Sequence, residues 1–300
     1  MSDADTRGET WRERSSYLMI AALERVARAL PTRTGRVVFM GLGTVAHRLL
    51  PRVRAVVAAN QARVLGLDVL DPLVARATHE AFRSYARYWF DTFHITRWSN
   101  ERVQATVEIH GFEHLREPVE HGRGVIAVLP HLGNWDVAGR AVAARGLTVV
   151  AVAEELRPER LFDLFVRMRE RLGLRVVGHA GGSVGRELAA ALAGGEVVAL
   201  VADRDLNGRG IEVEMFGAPR RLPGGPAILA LSTGAPIVTA DVYQTREGWS
   251  VTFRPLPDVA RTGDRRTDVT AITREVARAF ERAISAAPEE WHLFQPAWES

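Results

Sequence analysis

Gly124-Val125-Ile126-Ala127-Val128-Leu129-Pro130-His131-Leu132-Gly133-Asn134-Trp135-Asp136 is the stretch that decides the architecture. Its first six residues form a continuous apolar run, the pattern of a strand buried on both faces. Pro130 ends that run, and a helical pattern begins near Trp135 and continues to about residue 145. His131 therefore stands at the carboxyl end of a central strand, where open α/β sheets place their sites.

Working outward, the same apolar theme returns at 147–153, 197–202 and 236–242. Helical patterns fall between these runs, at 158–172, 185–192 and 226–232. Such alternation predicts an α/β fold, a single domain with a mixed, mostly parallel central sheet flanked by helices. Residues 103–110 and 249–255 read as further strands, and 268–284 as a closing helix. Upstream the pattern is helical, over 11–30, 37–50, 51–65 and 71–93, with an aromatic stripe in the last of these. The expected organisation is a helical N-terminal extension over 1–100, packed on an α/β core over 101–300.

Composition removes several classes of chemistry. There is no cysteine, so disulfides, thiolate nucleophiles and cysteine metal sites are excluded. Every one of the 39 basic residues is arginine. Lysine-dependent P-loops and Schiff bases are thereby excluded, and any anionic ligand must meet arginine forks or backbone amides. The formal net charge is only +3, and neither a nucleic-acid partner nor a metal is expected. The nine histidines show no convincing metal-ligand spacing. The first ten residues are acidic and polar, unlike a signal peptide. Arginines interrupt every apolar stretch before the roughly 20 residues a transmembrane helix needs. Contact with a membrane would then be peripheral. Residues 11–30 offer Ile20, Leu23, Ala27 and Leu30 at helical spacing among arginines, the pattern either of an ordinary helix packed on the core or of an interfacial helix.

The candidate chemistry centres on His131. A carboxylate on its Nδ1 would fix the tautomer and leave Nε2 as a general base. Asp136 lies five residues on, and a strand-turn-helix path could fold it back onto the imidazole. A competing motif is Gly181-Gly182-Ser183-Val184-Gly185, which matches the nucleophile elbow of α/β-hydrolases. Its Ser183 follows a loose glycine run rather than a sharp turn off a strand, and only His292 lies downstream. Ser183 reads better as a helix cap.

Pro130-His131-Leu132-Gly133-Asn134-Trp135-Asp136 resembles the signature of the lysophospholipid acyltransferase superfamily, in the branch of the lipid A lauroyl and myristoyl acyltransferases. Val201-Ala202-Asp203-Arg204-Asp205, the block 210–217 and Leu222-Pro223-Gly224-Gly225-Pro226 resemble it too. In detail the chain looks most like the phosphatidylinositol mannoside acyltransferases, over nearly its whole length. The superfamily's Pro-Glu-Gly phosphate-binding block is missing, which argues against a simple lysophosphatidate acceptor.

The resemblance implies transfer of a long-chain acyl group from acyl-CoA, with palmitoyl-CoA as the expected co-substrate. The acceptor would be a hydroxyl of a membrane glycolipid, a mannose of a phosphatidylinositol mannoside. No cofactor or metal is implied. His131 would be the base, Asp136 its orienting acid, and Asp205 a second acid on the same edge. Backbone amides around Gly133 and Asn134 would hold the oxyanion. Arg169, Asn134 and Arg204 would contact acyl-CoA, with Arg169 on its phosphates. The expected location is peripheral, on an anionic membrane surface at the cytoplasmic face of the inner membrane. A catalytically silent lipid-binding protein on the same fold is the other class to separate.

Overall fold

The computed structural model describes residues 10–154, 157–178 and 183–298. Four helices come first: α1 (Trp11–Ala29), α2 (Thr32–Leu49), α3 (Pro51–Leu65) and α4 (Pro72–Ile95). The remaining chain alternates α5 (Asn100–Thr106), β1 (Val107–His110), α6 (Glu113–Glu120), β2 (Val125–Leu129), α7 (Trp135–Ala143), β3 (Val149–Ala153), α8 (Glu159–Arg171) and β4 (Leu174–Gly178). It then runs through α9 (Val184–Ala193), β5 (Val197–Val201), the hairpin β6 (Ile211–Met215) and β7 (Ala218–Leu222), α10 (Gly225–Thr233), β8 (Ile237–Gln244), β9 (Trp249–Pro255) and α11 (Arg265–Ala286).

Seven strands form one sheet in the order β1-β9-β8-β2-β5-β3-β4. The five from β8 to β4 are mutually parallel, while β9 runs antiparallel to β8 and parallel to β1. The sheet is thus mixed and mostly parallel, covered by helices on both faces. β2 lies inside it, and all five of its residues are buried. Its side chains alternate between two cores. Ile126 and Val128 join Leu188, Ala230, Val276 and Phe280 on the face covered by α9, α10 and α11. Val125, Ala127 and Leu129 join Leu115, Val137 and Ala141 on the face covered by α6 and α7. Two covered faces are why the strand reads as an unbroken apolar run.

The expected strand over 103–110 is corrected in its first half. Residues Asn100–Thr106 are helical, because Ser99 caps the turn by accepting the Arg102 amide and Glu101 lies in the first turn. Only Val107–His110 extends, pairing with β9. Four elements had no counterpart in the sequence reading: α6, β4 and the hairpin β6–β7, which packs against α11.

In the helical N-terminal region, α1, α2 and α3 all pack on α4. The apolar stripe of α1 divides in two. Ile20, Leu23, Ala27 and Leu30, which the sequence left open between core and lipid, pack against Phe90, Phe93, Phe165 and Met168. Trp11, Leu18, Met19 and Val26 are the large apolar residues of α1 left exposed.

Candidate active site

β2 and β5 are neighbouring parallel strands, with Leu129 paired to Val201. Two residues beyond each member of that pair stand His131 and Asp203. Register alone thus sets the two side chains opposite one another on the same edge of the sheet. Asp203 Oδ1 accepts from His131 Nδ1 at 2.5 Å, and Oδ2 accepts from the His131 backbone amide at 3.0 Å. Trp291 Nε1 donates to the same Oδ2 at 2.8 Å, and Arg220 donates to the Asp203 carbonyl oxygen. Asp203 is fully buried, while the His131 side chain keeps 19% of its surface exposed.

Burial by itself would raise the Asp203 pKa. The charge and hydrogen bond of His131, the nearby Arg220 guanidinium and the Trp291 donor outweigh that and hold the carboxyl well below the usual carboxylate range. An ionised Asp203 can only accept, so when the His131 ring is neutral its one proton sits on Nδ1 and Nε2 presents the lone pair. That is the protonation pattern a general base needs.

The turn after β2 is fixed from below. Gly133 has φ 61°, and a Cβ there would lie 2.1 Å from the Val242 carbonyl oxygen. No L side chain fits that approach. The chain near the C-terminus pairs with this turn: Gly133 donates to the Glu290 carbonyl at 2.9 Å, and His292 donates to the His131 carbonyl at 2.7 Å. The His292 ring is buried and accepts from or donates to Ser84 Oγ at 2.9 Å. Burial first, then the His131 charge, lowers its pKa to about 3 and keeps it neutral.

Several site residues expected from the sequence stand elsewhere. Asp136 does not meet His131. It lies buried in the first turn of α7, on a different side from the imidazole, and accepts from Tyr88 Oη at 2.6 Å and from Arg169 Nε at 2.8 Å. Arg169 is correspondingly removed from a solvated face; only 19% of its side chain is exposed. Burial opposes its charge, but the Asp136 carboxylate outweighs burial and raises the Arg169 pKa. Asp205 also misses the histidine. It folds over its own loop, accepting the amides of Asn207 at 3.2 Å and Gly210 at 2.7 Å. The second acid of that loop is therefore Asp203, two residues earlier.

Asn134 is completely buried, and its side chain is consumed by scaffolding. Its Oδ1 caps α7 at the Val137 amide, and its Nδ2 donates to the Tyr88 carbonyl and to Thr92 Oγ1 on α4. The Gly133 amide is likewise taken by Glu290, which removes it as an oxyanion donor. Arg204 faces Glu154 at 3.6 Å, with about a quarter of its side chain exposed.

The hydrolase motif does not assemble among the described residues. Gly181 and Gly182 lie outside them. Ser183 donates to Glu187 at 2.5 Å and makes no side-chain cap, contrary to the expected capping role. The histidine it would need, His292, is engaged by Ser84.

A small apolar cavity lies between the sheet and α7. Trp135, Asp136 and Arg169 line it together with Leu115, Leu129, Val142, Val149 and Phe253. The Trp135 ring stands edge-on to His131 at 5.0 Å.

This histidine and carboxylate, paired at the carboxyl edge of the sheet, fit the class of acyl-transferring enzymes. Residues 5–300 match the family of bacterial lipid A biosynthesis acyltransferases, and the chain belongs to that family. It is 37% identical over 246 residues to a phosphatidylinositol mannoside acyltransferase of Mycobacterium tuberculosis (strain CDC 1551 / Oshkosh), covering 80% of this chain and 75% of that protein. It is 35% identical over 284 residues to the phosphatidylinositol mannoside acyltransferase of Mycolicibacterium smegmatis, covering 93% of this chain and 90% of that one. The match confirms the resemblance drawn from the motifs.

The Glu290 carboxyl gives the site a measurable pH signature. Burial raises its pKa to about 7, against the opposing pull of the Gln244 amide and Arg87. An acid whose folded pKa is raised stabilises the fold fully below its unfolded value and loses that contribution as pH rises through the folded value. Between the ordinary value of 4.5 and about 7, Glu290 should therefore withdraw about 3 kcal/mol of stability. Glu290→Gln keeps an acceptor for the Gln244 amide and removes the titration. Urea unfolding of both proteins across that window should show the variant gaining on the parent as pH rises. A pH-independent difference would mean that Glu290 does not titrate there.

Proposed function

We propose that this acyltransferase moves a long-chain acyl group from acyl-CoA, palmitoyl-CoA among the donors, to a mannose hydroxyl of a phosphatidylinositol mannoside. The observation that carries the reading is the His131–Asp203 pair at the carboxyl edge of the sheet, with Nε2 of the partly exposed His131 free to take a proton. His131 Nε2 takes the proton of the acceptor hydroxyl as its oxygen attacks the thioester carbonyl carbon. Asp203 stabilises the imidazolium that forms. Collapse of the tetrahedral intermediate breaks the C–S bond, and the departing CoA sulfur takes the proton back from His131. The new ester is left on the sugar, and His131 returns to its starting state.

Arg169 and Asp136 line the cavity as a paired cation and anion in this scheme. Arg204, partly exposed on the loop after β5, remains the better candidate for a phosphate contact. The acceptor is a lipid, and each CH₂ drawn from the bilayer into water costs about 0.8 kcal/mol. The enzyme therefore works at the membrane surface, on the cytoplasmic face where acyl-CoA is available. No helix among the described residues is long and apolar enough to cross a membrane, which suits a peripheral placement.

The test is direct. Incubation with radiolabelled palmitoyl-CoA and phosphatidylinositol mannosides should yield a more highly acylated lipid and free CoA thiol. Glycolipid binding without any labelled product would replace the enzyme with a silent lipid-binding protein. Product from another acceptor alone would overturn the acceptor.

A further inference from the structure

α2 is built inside out. The residues it turns toward the protein are small or spaced for close approach: Gly35, Phe39 and Gly43 are its buried positions. A Cβ on Gly35 would overlap the Phe90 ring, and one on Gly43 would lie 2.4 Å from the Phe82 carbonyl oxygen, so both glycines seat α2 against α4. Its bulky aliphatic residues point the other way. Val37 is 72% exposed, Val38 42%, Leu42 47%, Val45 48% and Leu49 71%. These five, with Gly41, occupy positions three and four apart and form one continuous stripe.

The stripe does not end with the helix. Leu50 is exposed just beyond it. Contacts of Gly35 with Phe90, Gly43 with Phe82 and Thr44 with His79 make α2 antiparallel to α4, which brings the end of α2 to the start of α4. There Val69, Leu70 and Leu73 are also exposed, Leu70 at 87%. A globular protein seldom leaves a contiguous apolar surface of this kind uncovered.

Charge identifies what covers it. From Arg25 to Leu67 the chain carries eight arginines and no aspartate or glutamate, although 36 of its 300 residues are acidic; Arg28 and Arg36 pair with Glu24 and Asp91, and Asp68 and Asp71 stand at the 69–73 turn. Arg33 and Arg48 lie exposed at the two ends of the stripe, and Arg52 is exposed on the next helix. A second copy of this chain docking face to face would set these arginines against their own equivalents, at a repulsive cost. An anionic lipid surface complements both features at once, taking the aliphatic side chains into its acyl boundary and the guanidiniums among its phosphates.

We propose that the outward face of α2, continued by Leu50 and the 69–73 turn, is the surface by which this protein docks on anionic membranes. The inference deepens the peripheral placement proposed above and does not depend on acyl transfer. It also moves the docking face away from the Ile20–Leu30 stripe of α1, which faces protein.

Full-length protein with Val37→Glu, Leu42→Glu and Leu49→Glu tests it by co-sedimentation with phosphatidylcholine vesicles containing or lacking phosphatidylglycerol. A control carries Leu206→Glu and Ile228→Glu, exposed apolar positions on other elements. All five side chains are solvent-facing, and far-UV circular dichroism verifies that the variants fold. The parent should bind the phosphatidylglycerol vesicles, and binding should weaken with salt. The α2 variant should bind roughly tenfold more weakly or worse, and the control should stay close to the parent. Equal binding by parent and α2 variant would overturn the proposal. So would a parent that sediments as a dimer and becomes monomeric in the α2 variant, since the face would then join two copies. If acyl transfer itself fails, the vesicle result is unaffected, so the two readings fall separately.

Discussion

Asp203→Asn is expected to lower kcat by a factor on the order of 10²–10⁴, close to the loss caused by His131→Ala, with little change in the KM for either substrate. The carboxylate forces the Nδ1 proton and so the Nε2 lone pair. An amide in its place can present an N–H to Nδ1, which then accepts, and the proton moves to Nε2 where the base should be. It also removes the negative charge that stabilises the imidazolium. Asp203 accepts two further hydrogen bonds, from the His131 amide and Trp291 Nε1, so some stability is lost as well. The catalytic effect separates from the structural one at temperatures well below the melting point, with Asp203→Glu retaining the charge and part of the turnover. Near-normal kcat in a folded Asp203→Asn protein would remove Asp203 from the mechanism. Turnover preserved in His131→Ala would remove the whole dyad.

The sheet was legible because its central strands are buried on both faces. Residues 124–129, 147–153 and 197–202 carry enough apolar side chains to be recognised one at a time, and their alternation with helices dictates the parallel order. β6 and β7 escaped because their outer faces are charged: Glu212, Glu214 and Arg221 point to solvent in a hairpin of only two strands. The place of His131 was legible too, two residues past the end of an unbroken apolar strand. Its partner was misplaced for a geometric reason. Sequence proximity favoured Asp136, five residues away, but a helix beginning at Trp135 carries that side chain toward α4 and α8. Counting two residues past the ends of two adjacent parallel strands gives His131 and Asp203 together. That signal was present in the sequence, but it needs the knowledge that β2 and β5 are neighbours with Leu129 opposite Val201. Asp205 is an acid in the same loop, yet the amides of Gly210 and Asn207 are close enough to consume it.

Asp136→Asn is expected to act on stability more than on the proton transfer, and its magnitude should be large. The Asp136 carboxylate is 2% exposed, and Arg169 is the cation that neutralises it. Breaking a buried pair by removing one partner typically costs about 3–5 kcal/mol, because the other charge is left without compensation. For a chain of 300 residues this corresponds to a fall in Tm of roughly 6–20 °C. Arg169→Met should cost at least as much, since it strands a carboxylate whose remaining donor is the Tyr88 hydroxyl. The double variant Asp136→Asn/Arg169→Met leaves no buried charge behind, and its Tm should recover at least half of the sum of the single losses. Such a coupling is the signature of two groups acting on each other. The kinetic readout decides between the two roles proposed for Asp136. Acting as a clamp between α7, α8 and α4, it should shift KM and stability together and leave the pH profile of kcat in place. Acting on the imidazole, it would match Asp203→Asn in kcat, with no coupling to Arg169. A Tm within a degree or two of the parent, combined with lost turnover, would return Asp136 to the histidine and undo the assignment of Asp203 as its partner.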